Sequence, residues 1–230
     1  MNKLILFDID GTLVKGKNKA HRKSYSVATK KVFGVNVDIN EIQTSGKTDT
    51  RILIELLNKK GMDTKEVKPK MKQIFKLMVE YVKRNIENSN LYAIPNAKKL
   101  LKKLKNKGYI LGLLTGNLEE IAKLKLRKVG LLKFFQVGGF GEISEIREKL
   151  LKHVIRETER NFEVKIYKKD IFYIGDAPLD IECGRNVGVR TIAVATGIHT
   201  KEELMKYKPD YLFEDFSDLK RMMDIIECQK

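Results

Sequence analysis

Hydrophobic positions along the chain alternate between two patterns. Short, mostly apolar runs of strand length occupy residues 4–7, 109–114, 170–174 and 191–194, with weaker ones at 134–137 and 211–213. Runs with no polar alternation predict strands buried on both faces, as in a parallel sheet covered by helices. Between them lie stretches with helical spacing. Residues 95–108 place Leu100, Leu101 and Leu104 on one side, with Pro95 suited to the first turn and Gly108 at the end. Further helices are predicted up to residue 131 and over 147–155. From residue 89 onward strand and helix alternate, which predicts βαβ units and a parallel sheet. Residues 15–88 read differently. They are strand-poor, with helical spacing at 20–33 and 50–57, and with Met71, Ile74, Phe75, Met78, Val82 and Ile86 forming one stripe along a long helix at 67–86. The pattern therefore predicts an α/β fold. Residues 1–14 and 89–230 form a parallel-sheet core with helices on both faces, and 15–88 form an inserted all-helical domain of roughly 70 residues.

Composition narrows this picture. Hydrophobic residues make up 42% of the 230, enough for a packed core and inconsistent with wholesale disorder. No apolar run approaches the roughly 18 residues that would span a bilayer, so no membrane partner is expected. The first strand begins so close to Met1 that no signal peptide fits before it, and a cytoplasmic location is expected. Cys183 and Cys228 lie far apart without C-x-x-C spacing and read as free thiols. The net charge of +16 raises a nucleic acid or other polyanion as partner. However, Lys98, Lys99, Lys102, Lys103, Lys105 and Lys107 suit the solvated side of an amphipathic helix, and no RNA-binding or zinc-finger signature accompanies them. Nucleic acid is therefore not the expected partner, and a basic polyanion-binding protein is kept as the non-enzyme alternative. One block stands out: no acid occurs between Asp10 and Asp38, whereas Lys15, Lys17, Lys19, Arg22, Lys23, Lys30 and Lys31 all do. It follows an acidic strand end directly and could steer an anion inward. No pattern in the sequence fixes an oligomeric state.

Polar residues collect where the strands end. The first strand runs into Asp8 and Asp10 before Gly11, the second into Thr115, Gly116 and Asn117, and the fourth into Asp176, with Asp180 four residues on. In a parallel sheet those ends share one edge, where open α/β sheets bind ligands. Several carboxylates brought together repel one another unless a cation or proton lies among them. Hard oxygen donors without histidine or cysteine favour Mg2+ over zinc. A hydroxyl and backbone amides before a helix suit an anion such as phosphate. A cation site beside an anion site points to phosphate chemistry.

These motifs resemble those of the haloacid dehalogenase superfamily, in particular its phosphoglycolate phosphatase-like branch with a helical cap. Asp8-Ile9-Asp10-Gly11-Thr12-Leu13-Val14 resembles the first motif, Leu113-Leu114-Thr115-Gly116-Asn117 the second, and Gly175-Asp176-Ala177-Pro178-Leu179-Asp180 the fourth. The resemblance spans nearly the whole chain. It implies a Rossmann-like core with residues 15–88 as the cap, and a Mg2+-dependent phosphatase acting on a small phosphorylated metabolite. By the same resemblance, Asp8 is the nucleophile that forms an aspartyl-phosphate and is also a metal ligand, and Asp10 is the acid and base whose backbone carbonyl also binds metal. Asp176 ligates Mg2+, and Asp180 ligates through water or braces the site. Thr115 and the amide of Gly116 hold the phosphoryl group, and Asn117 orients the acids. The third motif normally supplies a lysine, often followed by prolines. Here Arg147 is the best match for that phosphate-binding role, with Lys149 and Lys152 as competitors. Gly46-Lys47-Thr48-Asp49 resembles a cap loop, which implies substrate contacts from Lys47 and Arg51; no buried strand precedes it to make a P-loop. His21, His153 and His199 form no metal or triad pattern. Phosphoglycolate is the first substrate to test. A phosphomutase or a pyrophosphatase or nucleotidase of the same superfamily is the alternative, although Asp49 stands where mutase-like caps often carry arginine. The second acid, Asp10, argues against a dehalogenase.

Overall fold

Leu4, Ile5, Leu6 and Phe7 are completely buried because the strand they form, β1 (Leu4–Phe7), is central in its sheet. The structure is a computed structural model that describes residues 3–228; residues 1–2 and 229–230, with which the expected core segments begin and end, lie outside the described residues. After β1 the chain forms β2 (Val14–Lys17), α1 (Lys19–Phe33), α2 (Asp49–Lys59), α3 (Thr64–Val67), α4 (Met71–Asn85) and β3 (Asn90–Ala93). Next come α5 (Ala97–Asn106), β4 (Ile110–Leu114), α6 (Glu119–Lys128), β5 (Val137–Gly139), α7 (Arg147–Phe162) and β6 (Ile171–Gly175). The chain closes with α8 (Pro178–Val187), β7 (Arg190–Val194), α9 (Lys201–Met205), β8 (Tyr211–Phe213) and α10 (Leu219–Glu227).

Six strands form one sheet in the order β5-β4-β1-β6-β7-β8, every neighbouring pair parallel. Side chains alternate across a strand, and the two faces have separate cores. Ile5, Phe7, Leu111, Leu113, Phe172 and Ile174 pack with Leu100, Leu101 and Leu104 of α5, Leu126 of α6, and Met222 and Ile226 of α10. Leu4, Leu6, Ile110, Leu114 and Tyr173 pack on the other side with Leu150, Leu151 and Val154 of α7 and Cys183 and Val187 of α8. Helices thus cover both faces, as the apolar runs predict. Lys98, Lys99, Lys102, Lys103, Lys105 and Lys107 are all exposed. Cys183 is buried, Cys228 is exposed, and both are free thiols. Among the described residues no helix is long and apolar enough to cross a membrane.

The inserted segment has its own apolar cluster, built from Tyr25 and Ala28 of α1, Ile52, Leu53 and Leu56 of α2, and Met71, Ile74, Met78 and Val82 of α4. Leu118 and Ile121 join it from the α/β core, so α6 carries packing from one body to the other. Three local expectations need correction. The helix predicted at 67–86 is divided: α3 gives way to a 3-10 turn at Lys68–Lys70, and α4 starts only at Met71. Pro69 has no N–H to continue an α-helical ladder. The insert is also not free of strands. β2 pairs antiparallel with β3, Val14 opposite Ala93 and Lys17 opposite Asn90, so both chain crossings are zipped into one ribbon. Finally, the third strand lies at Val137–Gly139, later than the predicted 134–137, and Phe134 ends a 3-10 turn. Residues 138–139, expected as loop, belong to that edge strand because backbone pairing with Gly112–Leu114 needs no side chains.

Candidate active site

β1, β4 and β6 run in register, Phe7 lying opposite Leu113 on one side and Ile174 on the other. The residues that follow their ends therefore emerge together. Asp8 N still donates to Ile174 O at 2.9 Å, and Thr115 N donates to Gly139 O at 3.0 Å. The chain then turns at Gly11, whose φ is +86°. A Cβ at that position would lie 2.2 Å from Asp176 Oδ2, so glycine serves both the turn and the close approach. Thr12 Oγ1 donates to Asp176 Oδ1 at 2.8 Å, tying the first motif to the fourth.

Asp8, Asp176 and Asp180 are buried, and one carboxylate oxygen from each lies within 4.8 Å of the others. Burial pushes the Asp8 carboxyl up to about 7; Asp180 and Asp10 add to this, and Arg147 opposes it. Burial, with Asp8 and Asp180 beside it, also raises Asp176 well above the usual carboxylate range, against the Thr12 hydrogen bond. Arg147 offsets part of the negative charge of the three acids, and their oxygens together could hold a divalent cation. The donors are all oxygen, as Mg2+ requires. Asp180 is the most committed of the three. It accepts from Tyr173 Oη at 2.6 Å and from Ala177 N at 3.0 Å, and it lies 2.6 Å from the Arg147 guanidinium. It braces the cluster, whereas Asp8 and Asp176 line the cleft.

Arg147 opens α7 and is buried. Its Nη2 lies 3.1 Å from Asp8 Oδ1 and 3.1 Å from Leu114 O, its Nη1 donates to Gly46 O at 2.9 Å, and its Nε donates to Tyr173 Oη at 3.0 Å. The guanidinium is spread over protein acceptors, so it acts on the site mainly as a fixed positive charge beside Asp8. Lys149 and Lys152 are exposed on the same helix. Thr115 is fully buried; its Oγ1 accepts from Asn117 Nδ2 at 2.8 Å, and the same amide nitrogen donates to Asp10 Oδ2 at 2.8 Å. Gly116 meets the insert directly, its carbonyl accepting from Asp49 N at 2.7 Å.

Two groups in the cleft escape the sequence reading. Lys125, on α6, has a completely buried side chain, with Nζ 2.6 Å from Asp10 Oδ2 and 2.5 Å from Asn117 Oδ1. Burial would raise the Asp10 carboxyl, but the charges of Lys125 and His21 outweigh it and hold the group below its ordinary value. The only sequence signal is position: Lys125 falls on the apolar stripe of Ile121, Ala122 and Leu126. The second group is Asp49, buried between His21 Nε2 at 3.1 Å, Tyr25 Oη at 2.5 Å and Leu118 N at 2.9 Å. Burial there is outweighed by His21, which keeps Asp49 ionised more readily than usual. His21 and Tyr25 are one turn apart on α1, a spacing that puts them on one face. Of the two expected cap contacts, Lys47 lines the cleft but is paired with Glu55 at 2.5 Å. Arg51 is exposed, shares Glu55 at 2.9 Å, and lines a separate depression beside Glu145 and Glu148.

The cleft itself has a volume of about 720 Å3. Its floor is Asp8, Asp10, Thr115, Gly116, Asn117, Arg147 and Asp176; its walls include Lys15, Lys17, Arg22, His21, Tyr92 and Ile198. Lys15 donates to Thr196 O and Arg22 to Asn40 Oδ1; among the described residues neither is paired with a carboxylate.

Comparison with known proteins identifies what the chain is similar to. Residues 5–194 match the haloacid dehalogenase-like hydrolase family. The chain is 25% identical over 218 residues to pyrophosphatase PpaX of Oceanobacillus iheyensis, covering 94% of each. It is 32% identical over 130 residues to phosphoglycolate phosphatase of Synechococcus elongatus, covering 56% of this chain and 58% of the relative. The crystal structure of a predicted phosphoglycolate phosphatase from Haemophilus somnus 129PT superposes with a TM-score of 0.68 at 24% identity, over 96% of this chain and 98% of that one. With strand tips, paired acids and matched span in agreement, the chain belongs to the haloacid dehalogenase-like hydrolase family.

Proposed function

We propose that the protein is a Mg2+-dependent phosphatase that hydrolyses a small phosphomonoester through an aspartyl-phosphate on Asp8. The observation that carries this reading is the meeting of Asp8, Asp176 and Asp180 at the strand tips, within a cleft that Thr115 and Gly116 also line. Asp8 and Asp176, with the backbone carbonyl of Asp10, would hold the ion. When bound, Mg2+ neutralises these acids and the phosphoryl oxygens, which is the main demand of phosphoryl transfer. Asp8 attacks phosphorus and Asp10 protonates the departing oxygen; water then attacks the aspartyl-phosphate as Asp10 takes its proton. Thr115 and the amide of Gly116 orient the group being transferred. Arg147 keeps Asp8 in place and offsets its charge.

The walls support a leaving group that is itself anionic. Lys15, Lys17 and Arg22 reach the cleft without facing an acid among the described residues. Phosphoglycolate fits that description and is the first substrate to test, in line with the cyanobacterial relative's name. Pyrophosphate fits the same walls and is the second reading, in line with the other relative. Release of inorganic phosphate from p-nitrophenyl phosphate, phosphoglycolate and pyrophosphate, with Mg2+ and with chelator, tests the proposal. Asp8→Asn is expected to abolish turnover while circular dichroism stays that of wild type. A folded, Mg2+-loaded wild type inactive across a broad phosphomonoester panel would contradict it.

A further inference from the structure

Lys125 stands at a position where an apolar residue would complete the buried stripe of α6, beside Ile121, Ala122 and Leu126. An ammonium stripped of water is costly unless it is paired and hydrogen-bonded. Its partners here are Asp10 Oδ2 at 2.6 Å and Asn117 Oδ1 at 2.5 Å. Asn117 Nδ2 donates in turn to the same Asp10 Oδ2 at 2.8 Å. The three side chains close a triangle that occupies one oxygen of Asp10 twice. The other, Oδ1, accepts no hydrogen bond from the described residues, and 48% of the Asp10 side chain remains open to the cleft.

We infer that Lys125 is a positioning residue for the proton transfer, fixing the Asp10 carboxyl so that Oδ1 faces the leaving-group oxygen. This rests on the phosphatase reading above. In the first step an Asp8 oxygen bonds to phosphorus and the ester P–O bond breaks. Its electron pair goes to the leaving oxygen, which takes the proton from Asp10 Oδ1. In the second step water bonds to phosphorus, its proton passes to Asp10, and the Asp8–phosphorus bond breaks with its electrons returning to Asp8. A carboxyl free to rotate would deliver that proton less often. The loss therefore falls on esters whose leaving group needs a proton. It spares p-nitrophenolate, which departs without one.

The test compares kcat/KM on p-nitrophenyl phosphate with that on the unactivated alkyl phosphomonoester which the Mg2+-loaded wild type cleaves fastest. For Lys125→Met, loss on the alkyl ester of about 100-fold is expected, against less than about fivefold on the aryl ester. Retained aryl activity also reports that the variant is folded. Lys125→Arg should recover part of the alkyl loss. In an Asp10→Asn background, adding Lys125→Met should change alkyl turnover by less than about twofold, because the two act as a unit. Equal losses on both esters, no loss on either, or multiplying losses in the double variant would overturn the inference and leave the phosphatase reading standing. A wild type that cleaves only the aryl ester would overturn it too, since Asp10 would then have no proton to deliver. A wild type that cleaves neither removes both.

Discussion

Arg147 and Lys125 are both buried cations in contact with motif acids, yet they differ in how far the sequence reveals them. Arg147 follows a loop at the position where the family pattern calls for a cation, so the sequence names it as the best match but leaves Lys149 and Lys152 as competitors; burial beside Asp8 sets it apart from those two exposed lysines. Its neighbours, Asp8 at 3.1 Å and Asp180 at 2.6 Å, show what it does. It separates two carboxylates that otherwise repel in a low-dielectric site. Removing one partner of such a buried set leaves charge uncompensated, so Arg147→Met is expected to cost about 3–5 kcal/mol, read by urea unfolding in chelator. Arg147→Lys should cost less, since it keeps the charge but loses the fork that reaches Tyr173, Leu114 and Gly46 together. An Arg147→Met variant as stable as wild type would contradict this account. Lys125 gives no comparable signal. In a chain this rich in lysine, one more helical lysine reads as a solvated side chain, and only packing shows that its side chain is fully enclosed.

At the level of elements, the strands that hold the site are legible, and the ones that join the two bodies are not. β1, β4 and β6 are runs of large apolar residues, which few structures other than a covered parallel sheet can bury. β2 is Val14-Lys15-Gly16-Lys17 with only Val14 buried, and β3 has no fully buried residue. Such strands are stabilised by each other's backbones, a partnership between segments far apart in the chain that no local pattern encodes. Gly16 is the key residue of that ribbon. Its φ is +122°, and a Cβ there would fall 1.9 Å from Asn90 O. Gly16→Ala is expected to destabilise the protein by more than about 1 kcal/mol, seen as a lowered melting temperature. It should also raise KM for every substrate that contacts the cleft wall, because Lys15 and Lys17 flank it. An unchanged melting temperature would mean that the ribbon opens readily. The boundary between α3 and α4 is easier to account for: Pro69 is visible in the sequence, and the continuous apolar stripe merely hides the break it causes.

For the whole molecule, charge and pH act through the same acids. Burial and mutual repulsion raise Asp8 to about 7 and hold Asp176 well above its ordinary value. The metal-free fold therefore holds protons that the unfolded chain, with ordinary carboxyl values near 3.8, has already released. Stability contributed by these groups is present at acid pH and is lost as pH rises from about 4 through about 7. On the proposed Mg2+-dependent reading the ion would replace the protons, so its stabilising effect should be larger at pH 8 than at pH 5. It should reach about 2.7 kcal/mol when the ion is at 100 times its Kd. Thermal unfolding at both pH values, with Mg2+ and with chelator, checks this, and Asp8→Asn should flatten the metal-free pH dependence. A Mg2+ shift of equal size at both pH values would contradict it. The surplus of lysine behaves differently: along α5 it is solvated surface, and of the cations between Lys15 and Lys31, with Lys47 and Arg51, Lys15, Lys17, Arg22 and Lys47 reach the cleft. By itself the sequence made legible the parallel sheet, the helices that follow its first strand, and the acids and threonine that the structure gathers at the strand ends. These depend on burial of apolar runs and on motifs at strand ends, which are local properties. Tertiary structure alone decided the pairing of β2 with β3, the seating of Lys125 on Asp10, and the enclosure of Asp49 by His21 and Tyr25. Each is a contact between segments whose separate compositions are ordinary, and its energy exists only once the chain has brought them together.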